Sequence, residues 1–154
     1  MKICTIAGRT ADNLPWGHDE SHPDCVALKL TLLEKVAELV ARGVTVFMTN
    51  CEYGVPLFAA EAVLALRESL DIELNIIMPL ETMANSYSRE VRERFFDIHA
   101  AADSVEILSK HEHDCCFMAA DMLMVHYSGL LLTDSEDSFI ADYAKKKGKR
   151  IEFF

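Results

Sequence analysis

Residues that can bind an anion follow the first two short apolar segments of this chain. Gly8 and Arg9 end the first segment, and Gly54 comes a few residues after the second. Glycine lets backbone N–H groups approach a phosphate closely, and arginine offers a rigid pair of donors to a phosphate or carboxylate. The pattern is typical of an anion-binding turn, but glycines at such places also occur in ordinary turns.

Two carboxylates, Glu61 and Glu81, are candidates for catalysis. Glu61 falls inside a predicted helix, where its side chain could reach a cleft or lie in solvent. Glu81 follows a predicted strand and a proline, so it could line a cleft or begin a helix. Because either role is common for a carboxylate, the residues alone assign no catalytic group.

Cysteine and histidine suggest two further kinds of chemistry. Cys51 follows a predicted strand and precedes a helix, where a thiol can have a lowered pKa, but no partner histidine can be identified. The segment His111–Cys116 contains zinc-binding residue types, yet structural zinc sites usually use two separated ligand pairs. A second pair would require His18 and His22 to approach it. We therefore predict no metal site, and the sequence does not identify a cofactor.

Short apolar segments alternate with longer amphipathic ones along the whole chain. Six segments are predicted strands: 2–8, 44–50, 74–80, 104–109, 130–134 and 150–154. Five predicted helices separate them: 26–42, 57–70, 88–102, 114–127 and 138–147. This alternation predicts a three-layer α/β fold, a Rossmann-like doubly wound, mainly parallel sheet with helices on both faces. The predicted strand order is 3-2-1-4-5-6.

Such a fold places a ligand beyond the carboxyl ends of the strands, where the strand order reverses. The polar segment 9–24, which contains Trp16, directly follows the first strand; Trp16 could stack on a base or pin the segment to the body. The predicted ligand-binding residues are those that follow the strands: Gly8, Arg9, Thr49, Asn50, Gly54, Glu81, Asp134 and Ser135.

Composition restricts the partners. The 154 residues fit a single domain, residues 1–154, and the formal net charge of −10 disfavours nucleic-acid backbones. No apolar segment approaches the ~20 residues of a membrane helix. The N-terminus lacks the longer apolar core of a signal peptide, and five cysteines do not form a disulfide framework. These features predict a cytoplasmic protein with no nucleic-acid or membrane partner.

Several segments in the same order resemble the YpsA-like proteins of the SLOG superfamily. The start of the chain, Thr5–Thr10 with Asn13–Pro15, is similar to their Thr-Gly-His-Arg-Pro signature and the Leu-Pro loop after it. The stretch Thr49–Glu61 resembles their Ser-Gly-x-x-x-Gly-Val-Asp-Leu-Trp-Ala-Ala-Glu segment, and Ile77–Glu81 their Pro-Phe-Glu. The resemblance implies a Rossmann-like domain that binds nucleotide-derived ligands. Relatives in the superfamily include phosphoribohydrolases and DNA-processing proteins.

The chain also departs from this family pattern at the expected phosphate site. Asn50 replaces the first glycine after the second strand, and Pro56 replaces an aspartate. Ala120 stands where the fourth helix usually has arginine, followed by Asp121 in place of asparagine. Ser135–Ser138 replaces a Gly-Gly-Thr turn. The phosphate site is therefore expected to be partly lost.

Three functional hypotheses follow. The first is a domain that binds or senses a nucleotide-derived small molecule in the crevice. The second is an enzyme of the phosphoribohydrolase type, in which Glu61 or Glu81 stabilises positive charge on the ribose. The third is a degenerate relative that acts through protein contacts, as a homo-oligomer.

Overall fold

The computed structural model describes residues 2–154, which form one six-stranded parallel sheet flanked by five α-helices. The predicted α/β class and the helices on both faces are confirmed. In chain order the elements are β1 (Lys2–Ala7), α1 (Pro23–Ala41), β2 (Val44–Thr49), α2 (Val55–Arg67), β3 (Glu73–Met78), α3 (Arg89–Ala101), β4 (Ser104–Ile107), α4 (Cys116–Tyr127), β5 (Leu130–Thr133), α5 (Phe139–Lys146) and β6 (Arg150–Phe153).

Two hydrophobic layers hold the helices against the sheet. On one face α1, α2 and α3 pack through residues such as Leu32, Leu57 and Phe95. On the other face α4 and α5 pack through Met124 and Ile140. Burial of these side chains removes a large apolar area from water, which is the main favourable contribution to folding.

The strand order is β4-β3-β2-β1-β5-β6, so the predicted order 3-2-1-4-5-6 is wrong. The predicted order would place β4 beside β1, inside the sheet. All four residues of β4 are exposed, and the strand contains Ser104 and Glu106, which suit an edge. All four residues of β5 are buried, and this strand takes the place beside β1. The order therefore reverses between β1 and β5.

Local signals explain most helix ends. Ser88 accepts a hydrogen bond from the backbone N–H of Val91 and begins α3 where the sequence predicts it. Helix α1 begins at Pro23, three residues before the predicted start, because the His22 ring accepts from the Asp24 N–H and proline suits the first helical position. In residues 2–154, no helix combines the length and the apolar character needed to cross a membrane.

Candidate functional site

A cavity of about 320 Å³ opens at the carboxyl ends of the strands, where the strand order reverses. The loops after β1, β2 and β5, the middle of α4 and the start of α5 form its walls. Its lining residues are Ala7, Gly8, Arg9, Thr10, Asn13, Asn50, Glu52, Pro56, Asp121, Ser135, Ser138, Phe139 and Ile140. We call this cavity the crevice.

Four of the predicted ligand-binding residues line the crevice: Gly8, Arg9, Asn50 and Ser135. Gly8 is required by close packing, since a Cβ there would lie 2.4 Å from Asp134 Oδ1 and 2.6 Å from a Val55 methyl group. The backbone of β1 can thus pass directly against the carboxylate that follows β5.

Arg9, which lines the crevice, forms an ion pair with Asp134, which does not line it. The Arg9 backbone N–H donates to Asp134 Oδ1 over 3.0 Å, and Arg9 Nε donates to Oδ2 over 2.8 Å. The Asp134 side chain is 3% exposed and that of Arg9 39%. A buried carboxylate needs such a partner, so the Arg9 charge predicted to hold an anion is already balanced within the protein.

Gly54 stands before α2 but does not line the crevice. Its φ of 133° favours glycine, and a Cβ would lie 2.6 Å from the carbonyl oxygen of Arg9. The Val55 N–H at the start of α2 donates to that same oxygen over 3.0 Å, and the Ala11 N–H donates to the Tyr53 oxygen over 2.8 Å. Gly54 therefore lets the loop after β1 close over the start of α2, where a phosphate was predicted to bind.

The turn after β2 aims Glu52 into the crevice. Asn50 Oδ1 accepts from the Glu52 N–H and Asn50 Nδ2 donates to Glu52 Oε1, both over 3.0 Å. Thr49 is buried below the turn, where its hydroxyl accepts from the Cys51 N–H and donates to the Pro56 oxygen. Thr49 thus supports the turn and does not line the cavity.

Two carboxylates in the crevice, Glu52 and Asp121, were not among the predicted site residues. Burial raises the pKa of Glu52. Burial, and then the negative charge of Glu52, raise the pKa of Asp121 to about 7. Asp121 is the one acidic residue of α4, which is otherwise rich in methionine and leucine. A lone carboxylate in an apolar helix is the sequence signal that could have identified it.

The start of α5 forms another wall of the crevice. Ser138 caps the helix by accepting from the Ala141 N–H, and its hydroxyl donates to the Ser135 oxygen. Ser138, Phe139 and Ile140 line the crevice, so the positive end of the helix dipole faces it.

The two candidate catalytic carboxylates lie outside the crevice. Glu61 is held by Arg94, whose Nε and Nη2 donate to it over 2.8 and 2.9 Å. Arg94 also donates to both oxygens of Glu20, which further accepts from Lys29 and Tyr53. Burial opposes ionisation of Glu20, but these hydrogen bonds bring its pKa down to about 2. This network ties the segment after β1 to α2 and α3.

Glu81 is exposed and does not line the crevice. Its backbone N–H donates to the Ser109 oxygen over 2.9 Å, which joins the loops after β3 and β4. Because β3 and β4 are the second and third strands from β1, with β4 at the sheet edge, these loops lie away from the reversal between β1 and β5.

The described residues offer suitable geometry neither for a reactive thiol at Cys51 nor for a zinc site at His111–Cys116. Cys51 is fully buried, and burial raises the pKa of its thiol well above the ordinary value, so the hypothesis of a lowered pKa is wrong. In the segment His111–Cys116, His113 bonds to the Ser109 hydroxyl. Among residues 2–154, no group of three or more His, Cys, Asp or Glu side chains is arranged to hold a metal ion.

A second cavity of about 480 Å³ adjoins the crevice, since Thr10 and Glu52 line both. Aromatic side chains of the second cavity include Tyr53, Tyr87 and Phe117. Trp16 does not line either cavity; it packs against the core and stacks on His22, so it pins the segment after β1 to the body.

These features define a Rossmann-like α/β domain with a crevice at the reversal of strand order. The family model YpsA, described as the YspA SLOG family, matches residues 4–152. The chain therefore belongs to the YpsA family of the SLOG superfamily, as the sequence resemblance indicates.

Bacterial proteins named UPF0398 are similar over most of the chain. The protein of Halalkalibacterium halodurans is 27% identical over 96% of this chain and 82% of its own length. The protein of Shouchella clausii is 30% identical over 77% of this chain and 65% of its own length. A Bacillus thuringiensis protein is 26% identical over 97% of this chain and 85% of its own length.

Proposed function

We propose that this domain binds or senses a nucleotide-derived small molecule in the crevice. The observation that carries the proposal is the position of the cavity, at the carboxyl ends of β1 and β5, where open α/β sheets bind ligands. A volume of about 320 Å³ is within the usual range for small-molecule pockets, and the adjoining cavity extends it.

The side chains that line the crevice also support the binding of a specific ligand. The amide of Asn50, the hydroxyls of Ser135 and Ser138 and two carboxylates converge on one cavity. Most of the lining side chains are polar or charged, with Pro56, Phe139 and Ile140 as apolar contacts, so the crevice offers many hydrogen-bonding groups to a ligand. Membership of the SLOG superfamily supports a nucleotide-derived ligand by analogy of fold, and the site residues must carry the rest of the argument.

A thermal-shift panel tests the proposal. The panel contains NAD, ADP-ribose, nucleoside monophosphates and free nucleosides, each with and without magnesium. A ligand at one hundred times its dissociation constant stabilises the fold by about 2.7 kcal/mol, or roughly 5–10 °C for a domain of this size.

A matched pair of variants locates the binding. Ser135→Phe fills the crevice from its rim and should abolish the shift. Ser69→Phe adds the same ring to an exposed position beyond the end of α2 and should retain it. No shift with any compound, or a shift that survives Ser135→Phe, contradicts the proposal.

A second candidate function, hydrolysis of an N-glycosidic bond, is favoured by one observation. The crevice holds a carboxyl group, Asp121, whose pKa of about 7 suits a general acid near neutral pH, beside Glu52. These two residues replace Glu61 and Glu81 as catalytic candidates. Release of free base from a compound that binds would support this function, and chromatography that detects none would contradict it.

A further inference from the structure

The charges that line the crevice do not suit a phosphate. Arg9 is the one cationic side chain among the lining residues that the structure describes, and Asp134 balances it at 2.8 Å. Glu52 and Asp121 add two carboxylates that no cation in the cavity offsets. The crevice is therefore acidic, and like charges repel strongly in a partly buried site.

Most of the amide groups that could hold a phosphate at the helix starts are also committed elsewhere, above all at the start of α2. At the start of α2, the Val55 N–H donates to the Arg9 oxygen and the Leu57 N–H donates to the Glu52 oxygen. At the start of α5, the Ala141 N–H is bonded by the Ser138 hydroxyl. The start of α2 is thus closed to an anion, and at the start of α5 the Ser138 side chain occupies one of the N–H groups.

The groups that remain accept hydrogen bonds more readily than they donate them. Carboxylate oxygens of Glu52 and Asp121 pair well with adjacent N–H donors, such as those on the edge of a nucleobase. Glu52 also borders the second cavity, whose lining includes the aromatic side chains of Tyr53, Tyr87 and Phe117. A flat heteroaromatic ring that donates N–H groups fits both features.

We infer that the ligand of this crevice is an uncharged nucleoside or nucleobase, bound through its N–H donors by Glu52 and Asp121, and not a nucleotide bound through phosphate. The inference rests on the proposed function and names the ligand class for the same site. It assigns to Asp121 and Glu52, the two carboxylates of the lining, the selection against phosphate.

Calorimetric titration tests this inference with guanosine, adenosine and cytidine, each compared with its 5′-monophosphate at about pH 8. At least one nucleoside should bind, and its monophosphate should bind at least tenfold more weakly. In Asp121→Asn this preference should shrink by at least threefold, because one negative charge is removed while the side chain keeps its size. Glu52→Gln tests the second carboxylate in the same way. Asp97→Asn, at an exposed position of α3, should leave the preference unchanged.

The outcomes separate this inference from the proposed function. A monophosphate that binds as tightly as its nucleoside, or more tightly, overturns the inference and leaves the proposed function standing. A preference that neither carboxylate variant changes also overturns it. If no nucleoside and no monophosphate binds, the inference fails, and the thermal-shift panel with NAD and ADP-ribose then decides the proposed function.

Discussion

Replacing Asp121 with asparagine should stabilise the protein, and increasingly so as the pH rises. Asp121 is partly buried beside Glu52, and its pKa is raised from 3.8 to about 7. An acid with a raised pKa binds its proton more tightly in the folded state than in the unfolded state. Its ionisation therefore lowers the free energy of unfolding between about pH 4 and pH 7, and the full penalty is present above pH 7.

The size of this stabilisation follows from the shift in the pKa of Asp121. A pKa raised from 3.8 to about 7 corresponds to about 4 kcal/mol at full ionisation. Because the crevice is open to water, which screens the charge, we expect roughly half of this, about 2 kcal/mol at about pH 8. Near pH 4.5, where Asp121 is protonated in the folded state, the gain should fall below about 1 kcal/mol.

Urea denaturation followed by circular dichroism measures this gain. The free energy of unfolding of Asp121→Asn and of the unsubstituted protein is compared across the pH range, so that the six histidines, common to both proteins, cancel. Asp97→Asn, an exposed change in α3, controls for the loss of one negative charge. A gain for Asp121→Asn that does not depend on pH, or a loss of stability near pH 8, would refute the reasoning.

Three further changes test the packing around the site. In urea denaturation, Gly54→Ala should lower the free energy of unfolding by more than about 2 kcal/mol, because alanine strains the backbone there and its Cβ clashes with the Arg9 carbonyl oxygen. The control Gly129→Ala, whose added Cβ meets no atom within 4 Å, should cost less than about 1 kcal/mol. By the same measurement, Arg94→Ala should lower the free energy of unfolding by about 2–3 kcal/mol, because Glu20 and Glu61 lose their shared arginine partner. The control Arg89→Ala removes an exposed ion pair and should cost less than about 0.5 kcal/mol. In the native protein a thiol reagent should modify one cysteine rapidly, Cys115, the exposed one; rapid modification of a second would contradict the burial of the other four.

The sequence predicts the layers of this fold well because each layer has a local signal. Apolar runs such as Leu130–Thr133 and amphipathic segments such as Arg89–Ala101 specify strands and helices by periodicity alone. Periodicity does not specify the strand order, because the order depends on which strand is buried on both faces of the sheet. The polar residues Ser104 and Glu106 carry that information for β4, but only in comparison with β5, whose first three residues are leucines and whose four residues are all buried.

The candidate site could be predicted in position but not in chemistry. Gly8 and Arg9 lie in the crevice because they directly follow β1. Whether Arg9 is free to bind an anion depends on Asp134, which is 125 residues away in the sequence. The role of Glu61 could not be predicted either, because Arg94, its ion-pair partner, lies in another helix. Such long-range pairing has no local pattern in a single sequence.

The central claim, that the crevice binds a nucleotide-derived small molecule, is tested most directly by amide chemical-shift mapping of the ¹⁵N-labelled protein during titration with guanosine, adenosine and their 5′-monophosphates. The account predicts saturable shifts concentrated at residues 8–10, 50–52 and 135–140, which surround the crevice. Shifts confined to the opposite end of the sheet, around Lys2, Arg42 and Arg150, or no shift at millimolar concentrations of either nucleoside and its monophosphate, would contradict it.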